Sequence, residues 1–203
     1  MSINSKDIFV IGYPRCGERF LSHNYGNLTN THADISHDIN FIKNNTTPMA
    51  AVIRDPLDSL TSALAMGFYQ HQEVYDSSKK IAIDMAINRY INFYENLLTL
   101  DSVIFIDFKD VINKIVPVIK YLANKLNHKY GYKEITSQQE IFELSPKESL
   151  YIPTSKNLPG YLEMYDDFKS KDLSHIYDLY RQCLDRCIII HDEDWIDWTG
   201  SHG

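Results

Sequence analysis

The stretch Ile8-Phe9-Val10-Ile11-Gly12-Tyr13-Pro14-Arg15-Cys16-Gly17-Glu18-Arg19-Phe20 sets the fold class of this 203-residue chain. Four apolar residues in a row fit a strand buried on both faces better than one half exposed to water. A turn over residues 12–17 follows, then a short helix to about residue 25. Working outward, the same strand-turn-helix unit recurs. Residues 29–33 are expected to form a second strand. Met49-Ala50-Ala51-Val52-Ile53 is a third apolar run, closed by Arg54. Asp55 and Pro56 then suit the cap and first position of a helix running to about residue 69. Asp76 and the two serines after it are placed to cap the next helix, residues 79–100. There Ile83, Ala86, Ile87, Tyr90, Ile91, Tyr94 and Leu98 recur at intervals of three and four, which marks one helical face. Residues 103–106 make a fourth buried strand. Residues 111–126 make an amphipathic helix with Pro117 near its first turns, and residues 173–187 a final helix. Between residues 131 and 160 the periodicity weakens, as in a loop with small elements. Alternation of this kind predicts a single α/β domain over residues 1–203, three layers α/β/α around a mostly parallel sheet.

Composition bounds the function. Hydrophobic residues make up 44% and charged residues 23% of the chain, ordinary for a globule able to bury a core without staples. The formal net charge of -7 argues against a general nucleic-acid binder, while leaving room for a local cationic pocket. Cys16, Cys183 and Cys187 are too few and too scattered for a disulfide framework. No leader sequence and no apolar run of ~18 residues is visible. These features predict a cytoplasmic protein without a membrane span.

The turn carries the chemistry. A turn entering a helix N-terminus presents free N–H groups to an anion, and the helix dipole adds to the attraction. Gly17 allows close approach, and Arg15 brings a fixed charge on a planar fork of donors. Gly12 and Gly17 have the Gly-x-x-x-x-Gly spacing of a nucleotide P-loop, but Glu18 and Arg19 stand where such a loop needs Lys and Ser or Thr. A degenerate P-loop kinase or NTPase is therefore disfavoured.

Tyr13-Pro14-Arg15-Cys16-Gly17 resembles the 5′-phosphosulfate loop of sulfotransferases that use 3′-phosphoadenosine-5′-phosphosulfate (PAPS), roughly Tyr-Pro-Lys/Arg-Ser-Gly-Thr-Thr. The resemblance implies a P-loop-like sulfotransferase fold, and PAPS as co-substrate with PAP as product. It places Arg15 against the bridging oxygen of the transferred sulfuryl group. Cys16, Gly17, Glu18 and Arg19 line the same loop, with Cys16 in place of the family's serine, and Phe20 takes an adenine-stacking position. Glu18 and Arg19 replace the family's two hydroxyl residues. Arg54-Asp55-Pro56, with Ser62 eight residues after the arginine, resembles the family's 3′-phosphate motif. An arginine at a strand end and a hydroxyl two turns into the next helix can converge on one phosphate. Phe108 falls at an aromatic position near the adenine, or is a core phenylalanine. Lys156 and Gly160 match the family's loop over the 3′-phosphate.

Transfer to a hydroxyl or amine acceptor calls for a base. Asn30-Thr31-His32 resembles the family's Lys-Thr/Ser-His, which points to His32. His37 is the second choice, and Glu18 a third. The resemblance thus implies sulfuryl transfer from PAPS to an acceptor whose nature is open. The alternative is a module that binds PAP or PAPS without turnover, suggested by Glu18. No metal is required. Cys16 at a helix N-terminus is expected to have a lowered pKa. Cys183, Cys187 and His191, four residues apart, are expected to share a helical face, with zinc conceivable there.

Overall fold

The computed structural model describes residues 8–29, 31–129 and 155–191. Four strands, β1 (Ile8–Ile11), β2 (Ala33–Ser36), β3 (Met49–Ile53) and β4 (Val103–Asp107), form one sheet. Every pairing is parallel, in the order β2-β1-β3-β4. The helices among the described residues are α1 (Glu18–Thr29), α2 (Ile39–Lys43), α3 (Pro56–Gln70), α4 (Ile81–Leu98), α5 (Phe108–Asn113), α6 (Ile115–Lys125), α7 (Tyr161–Lys169) and α8 (Ser174–Asp185). All five residues of β3 are buried, because helices cover both faces of the sheet. α1 packs with α6, while α3, α4, α7 and α8 pack with one another. The expected α/β architecture is what the chain adopts.

Strand order fixes where a ligand belongs. After β1 the chain crosses to β2 on one side, and β3 leads to β4 on the other. The connections diverge between β1 and β3, and the crevice at the carboxyl ends of those two strands is where open α/β sheets bind ligands. The turn after β1 and Arg54 after β3 both sit there.

Local signals account for most boundaries. Asp55 caps α3 by accepting from the Asp58 amide at 3.1 Å, with Pro56 inside the first turn. Asp76 caps a 3-10 turn, Ser77–Lys79, rather than the long helix itself, which begins at Ile81. The expected helix over residues 111–126 is two helices broken at Lys114. Pro117 explains the break. Its ring excludes the carbonyl four residues earlier from helical geometry, so α5 ends at Asn113 and Pro117 enters near the start of α6. The second strand is displaced from residues 29–33 to Ala33–Ser36, because α1 continues to Thr29. Thr29 closes that helix by donating its hydroxyl to the Tyr25 carbonyl at 2.7 Å. On the far edge, Ile188 donates its amide to the Phe105 carbonyl at 2.9 Å and partly covers β4. The weakly patterned region falls mostly outside the described residues, as do Trp195 and Trp198.

Candidate active site at the carboxyl ends of β1 and β3

The turn after β1 is a strained, self-braced loop. Arg15 has φ 74 and Gly17 φ 91. Glycine tolerates that region, whereas arginine is held there only by its surroundings. Two contacts hold it. The Arg15 amide donates to Glu18 Oε1 at 3.3 Å, and its carbonyl accepts from Arg54 Nη1 at 2.8 Å. Gly17 has a second constraint, since a Cβ there would lie 2.9 Å from the Phe108 ring. The Phe108 ring in turn lies under the Arg54 guanidinium, 4.7 Å from its centroid. Arg15, Gly17, Glu18, Arg54 and Phe108, spread over more than ninety residues of sequence, thus form one contact set.

Charge within this set is uneven. Burial pulls the Arg15 guanidinium below the usual arginine range, Glu18 opposes that pull, and Arg54 and Arg19 add to it. Arg15 Nε and Arg54 Nε are both buried with no acceptor among the described residues. Arg54 has Asp58 at 3.7 Å on the other side, an acid 41% exposed. Glu18 is different: its side chain is only 6% exposed, and its Oε2 is buried without a donor. Two orphaned guanidinium donors suit an anion, and the orphaned carboxylate oxygen suits a donor instead.

Ser62 lies at the end of the second turn of α3 and is buried. Its neighbours Ser59 and Thr61 give their hydroxyls to α3's own carbonyls, at Pro56 and Leu57. Ser62 is instead engaged by the phenol of Tyr161, which also feels Asp58 and Arg54. Tyr161 opens α7, directly after Gly160, whose φ of 74 and whose contact with Tyr75 leave no room for a side chain. Lys156 sits in the 3-10 turn Ser155–Asn157, exposed, where that turn packs on α3 and α7.

Next to the loop a cavity of about 590 Å³ opens between α3, α4 and the start of α2. Tyr13 and Pro14 belong to its wall, as does His37. Tyr13 is pinned by donating its hydroxyl to the Ala86 carbonyl at 3.3 Å. His37 follows β2 directly, and its Nδ1 is 2.8 Å from the Gly12 carbonyl oxygen. That oxygen only accepts, so Nδ1 carries the proton. Nε2 faces Glu18 Oε1 at 3.7 Å.

Several expected residues lie elsewhere. The amide of Ile8 donates to the His32 carbonyl at 3.3 Å, which puts His32 beside the first residue of β1. The loop begins at the other end of that strand, roughly 13 Å away at ~3.3 Å per residue. His32 is 68% exposed there, 3.4 Å from Asp34. Phe20 is turned into the core, and Arg19 faces solvent. Cys16 is fully buried, 3.8 Å from the Tyr94 hydroxyl. Burial pushes its thiol up to about 12, with Glu18 adding to the rise, contrary to the lowering expected of a helix N-terminus. α8 ends at Asp185, so Cys187 and His191 do not share a helical face with Cys183. Among the described residues no cluster of three metal-binding side chains occurs.

Sequence reasoning ranked His37 second and gave Tyr161 no role. The signal for His37 was positional. In a parallel sheet the residue just after a strand lies at the ligand end, and one just before it at the opposite end.

No protein-family model matches the chain, and no curated protein matches it in sequence. Solved structures match it in fold. Mouse sulfotransferase SULT7A1, crystallised with PAP, superposes with a TM-score of 0.56 over 90% of this chain and 88% of its own, at 11% identity. The chain has a sulfotransferase-like fold. At that identity the likeness speaks for the fold alone. No helix among the described residues is long and apolar enough to cross a membrane.

Proposed function

We propose that the chain binds PAPS in the crevice between β1 and β3 and moves its sulfuryl group to an acceptor held in the adjoining cavity. The observation that carries this is the pair of orphaned donors, Arg15 Nε and Arg54 Nε, brought together from the two phosphate-type motifs. The loop amides and Arg15 would hold the 5′-phosphosulfate. Arg54, Ser62 and, from its exposed turn, Lys156 would hold the 3′-phosphate. Phe108 would offer its ring to the adenine. PAPS would supply an activated sulfuryl group with a phosphate as leaving group. Arg15 would stabilise the charge gathering on that phosphate without further reorganisation. His37 replaces His32 as the residue set to take the acceptor proton, because it lines the cavity and touches the loop.

A second reading, nucleotide binding without turnover, is favoured by one observation. The orphaned Oε2 of Glu18 is buried beside the groups meant for a dianion. Calorimetry with PAP tests the shared part. Heat of binding with one site per chain is expected, and magnesium-dependent ATP binding in its place would overturn the nucleotide assignment. Product formation from labelled PAPS with phenol, alcohol and amine acceptors then separates the two. Label transfer abolished by His37→Ala is expected of an enzyme, and bound PAPS without any transfer of the silent module.

A further inference from the structure

The wall of the 590 Å³ cavity is mostly apolar, with Leu64 and Phe68 from α3 and Met85, Ala86 and Phe93 from α4. A small number of placed polar groups in such a wall fixes what a pocket selects. Besides the Tyr13 phenol, the charged or titratable side chains lining it are His37, Asp38, His71, Glu73 and Arg89. Most already have work to do. Glu73 is paired with Lys79 at 2.9 Å. Asp38 accepts from the Asn40 amide at 2.9 Å and caps α2. His37 is tied to Gly12.

Of the remaining two, His71 and Arg89, Arg89 alone carries a fixed charge. It is exposed on the cavity side of α4 and has no ion-pair or hydrogen-bond partner among the described residues. It stands three residues beyond Ala86, whose carbonyl holds the Tyr13 hydroxyl, so it lies about one turn from the loop contact. The charge is felt there. Burial raises the Tyr13 phenol, and Arg89 pulls it part of the way back. An unpaired guanidinium at the edge of an apolar pocket, in a chain of net charge -7, favours a ligand that brings the opposite charge into the pocket.

We propose that the acceptor is a small, largely apolar molecule carrying a carboxylate or similar acidic group, and that Arg89 reads that group. This rests on the acceptor role given to the cavity above. Orientation follows from the same geometry. The acid is held by α4 beside the loop, the apolar body lies along α3 and α4, and the hydroxyl is left to His37.

Matched probes test it by binding, so turnover is not needed. 3-(4-Hydroxyphenyl)propanoate and its methyl ester differ in one charge. With PAP present, the acid is expected to bind about tenfold more tightly than the ester, the scale of one charge-assisted hydrogen bond. Arg89→Gln should erase that difference by weakening the acid alone, and Arg89→Lys should retain part of it. PAP titration of each variant reports whether the fold is intact. Equal binding of acid and ester, a preference that survives Arg89→Gln, or binding of neither probe would overturn the inference. A wild type that binds the acid through Arg89 yet gives no heat with PAP would uphold the anion pocket and sink the nucleotide reading instead.

Discussion

The two anion-type motifs, the loop after β1 and the strand end after β3, handle the same problem in opposite ways. Each pairs an arginine with an acid. At the β3 end, Arg54 has Asp58 at 3.7 Å, and that acid is 41% exposed. Water and counter-ions screen it, and it can swing away as a phosphate arrives. At the β1 end, the acid is Glu18, only 6% exposed and fixed by the Arg15 amide and His37. It has nowhere to go. One region keeps a displaceable counter-ion, and the other has built one into its floor. A buried acid of this kind braces the left-handed Arg15 backbone while opposing any anion placed against the loop.

The largest effect is expected from the open side. Arg54→Ala removes the orphaned donor, the brace on the Arg15 carbonyl and the cation over Phe108 together. PAP affinity should fall about 100-fold, the upper end for charged hydrogen bonds. Calorimetry checks it, with chemical denaturation as a control for folding. A drop of less than about threefold would mean that the β3 end does not hold the 3′-phosphate.

The closed side should respond in the opposite sense. Glu18→Thr restores a hydroxyl and deletes the buried acid, so PAP should bind about tenfold more tightly, by roughly 1.4 kcal/mol. The same change removes the cap on the Arg15 amide, and thermal stability without ligand should drop. Tighter binding in a less stable protein is the signature sought. Weaker binding would show that Glu18 serves the nucleotide rather than opposing it.

How much of this was legible in sequence differs between the two regions for the same physical reason. The three continuous apolar runs at β1, β3 and β4 declared themselves, because strands buried on both faces need no polar alternation. β2, half-exposed at the sheet edge, did not, and its misplacement by four residues carried His32 to the wrong end of the sheet. The arginine-serine spacing of the β3 end is local to one strand and one helix, so it could be read directly. The burial of Glu18 could not. It depends on His37 and on Arg54 arriving from elsewhere in the chain. Cys16 was misjudged similarly, since a helix N-terminus argues for a lowered pKa until Tyr94 and the rest of α4 close over the thiol.

Cys16 yields the smallest effect and the one most particular to the closed side. Its pKa is pushed up to about 12 from an ordinary 9, chiefly by burial. The folded state therefore holds the thiol proton more tightly than the unfolded chain. By linkage, this contribution to stability is fully present below about pH 9 and is lost as pH rises above it. At pH 10 the loss from one such thiol is about 1 kcal/mol. Cys183 and Cys187, also pushed up to about 12, tilt the profile the same way. The diagnostic is thus a difference between proteins. Cys16→Ser does not titrate in this range, so urea stability measured from pH 8 to pH 10 should fall less steeply than in the wild type. Parallel profiles would place the Cys16 thiol in contact with water. The floor of the loop would then be open rather than sealed, and the contrast between the two motifs would lose its physical basis.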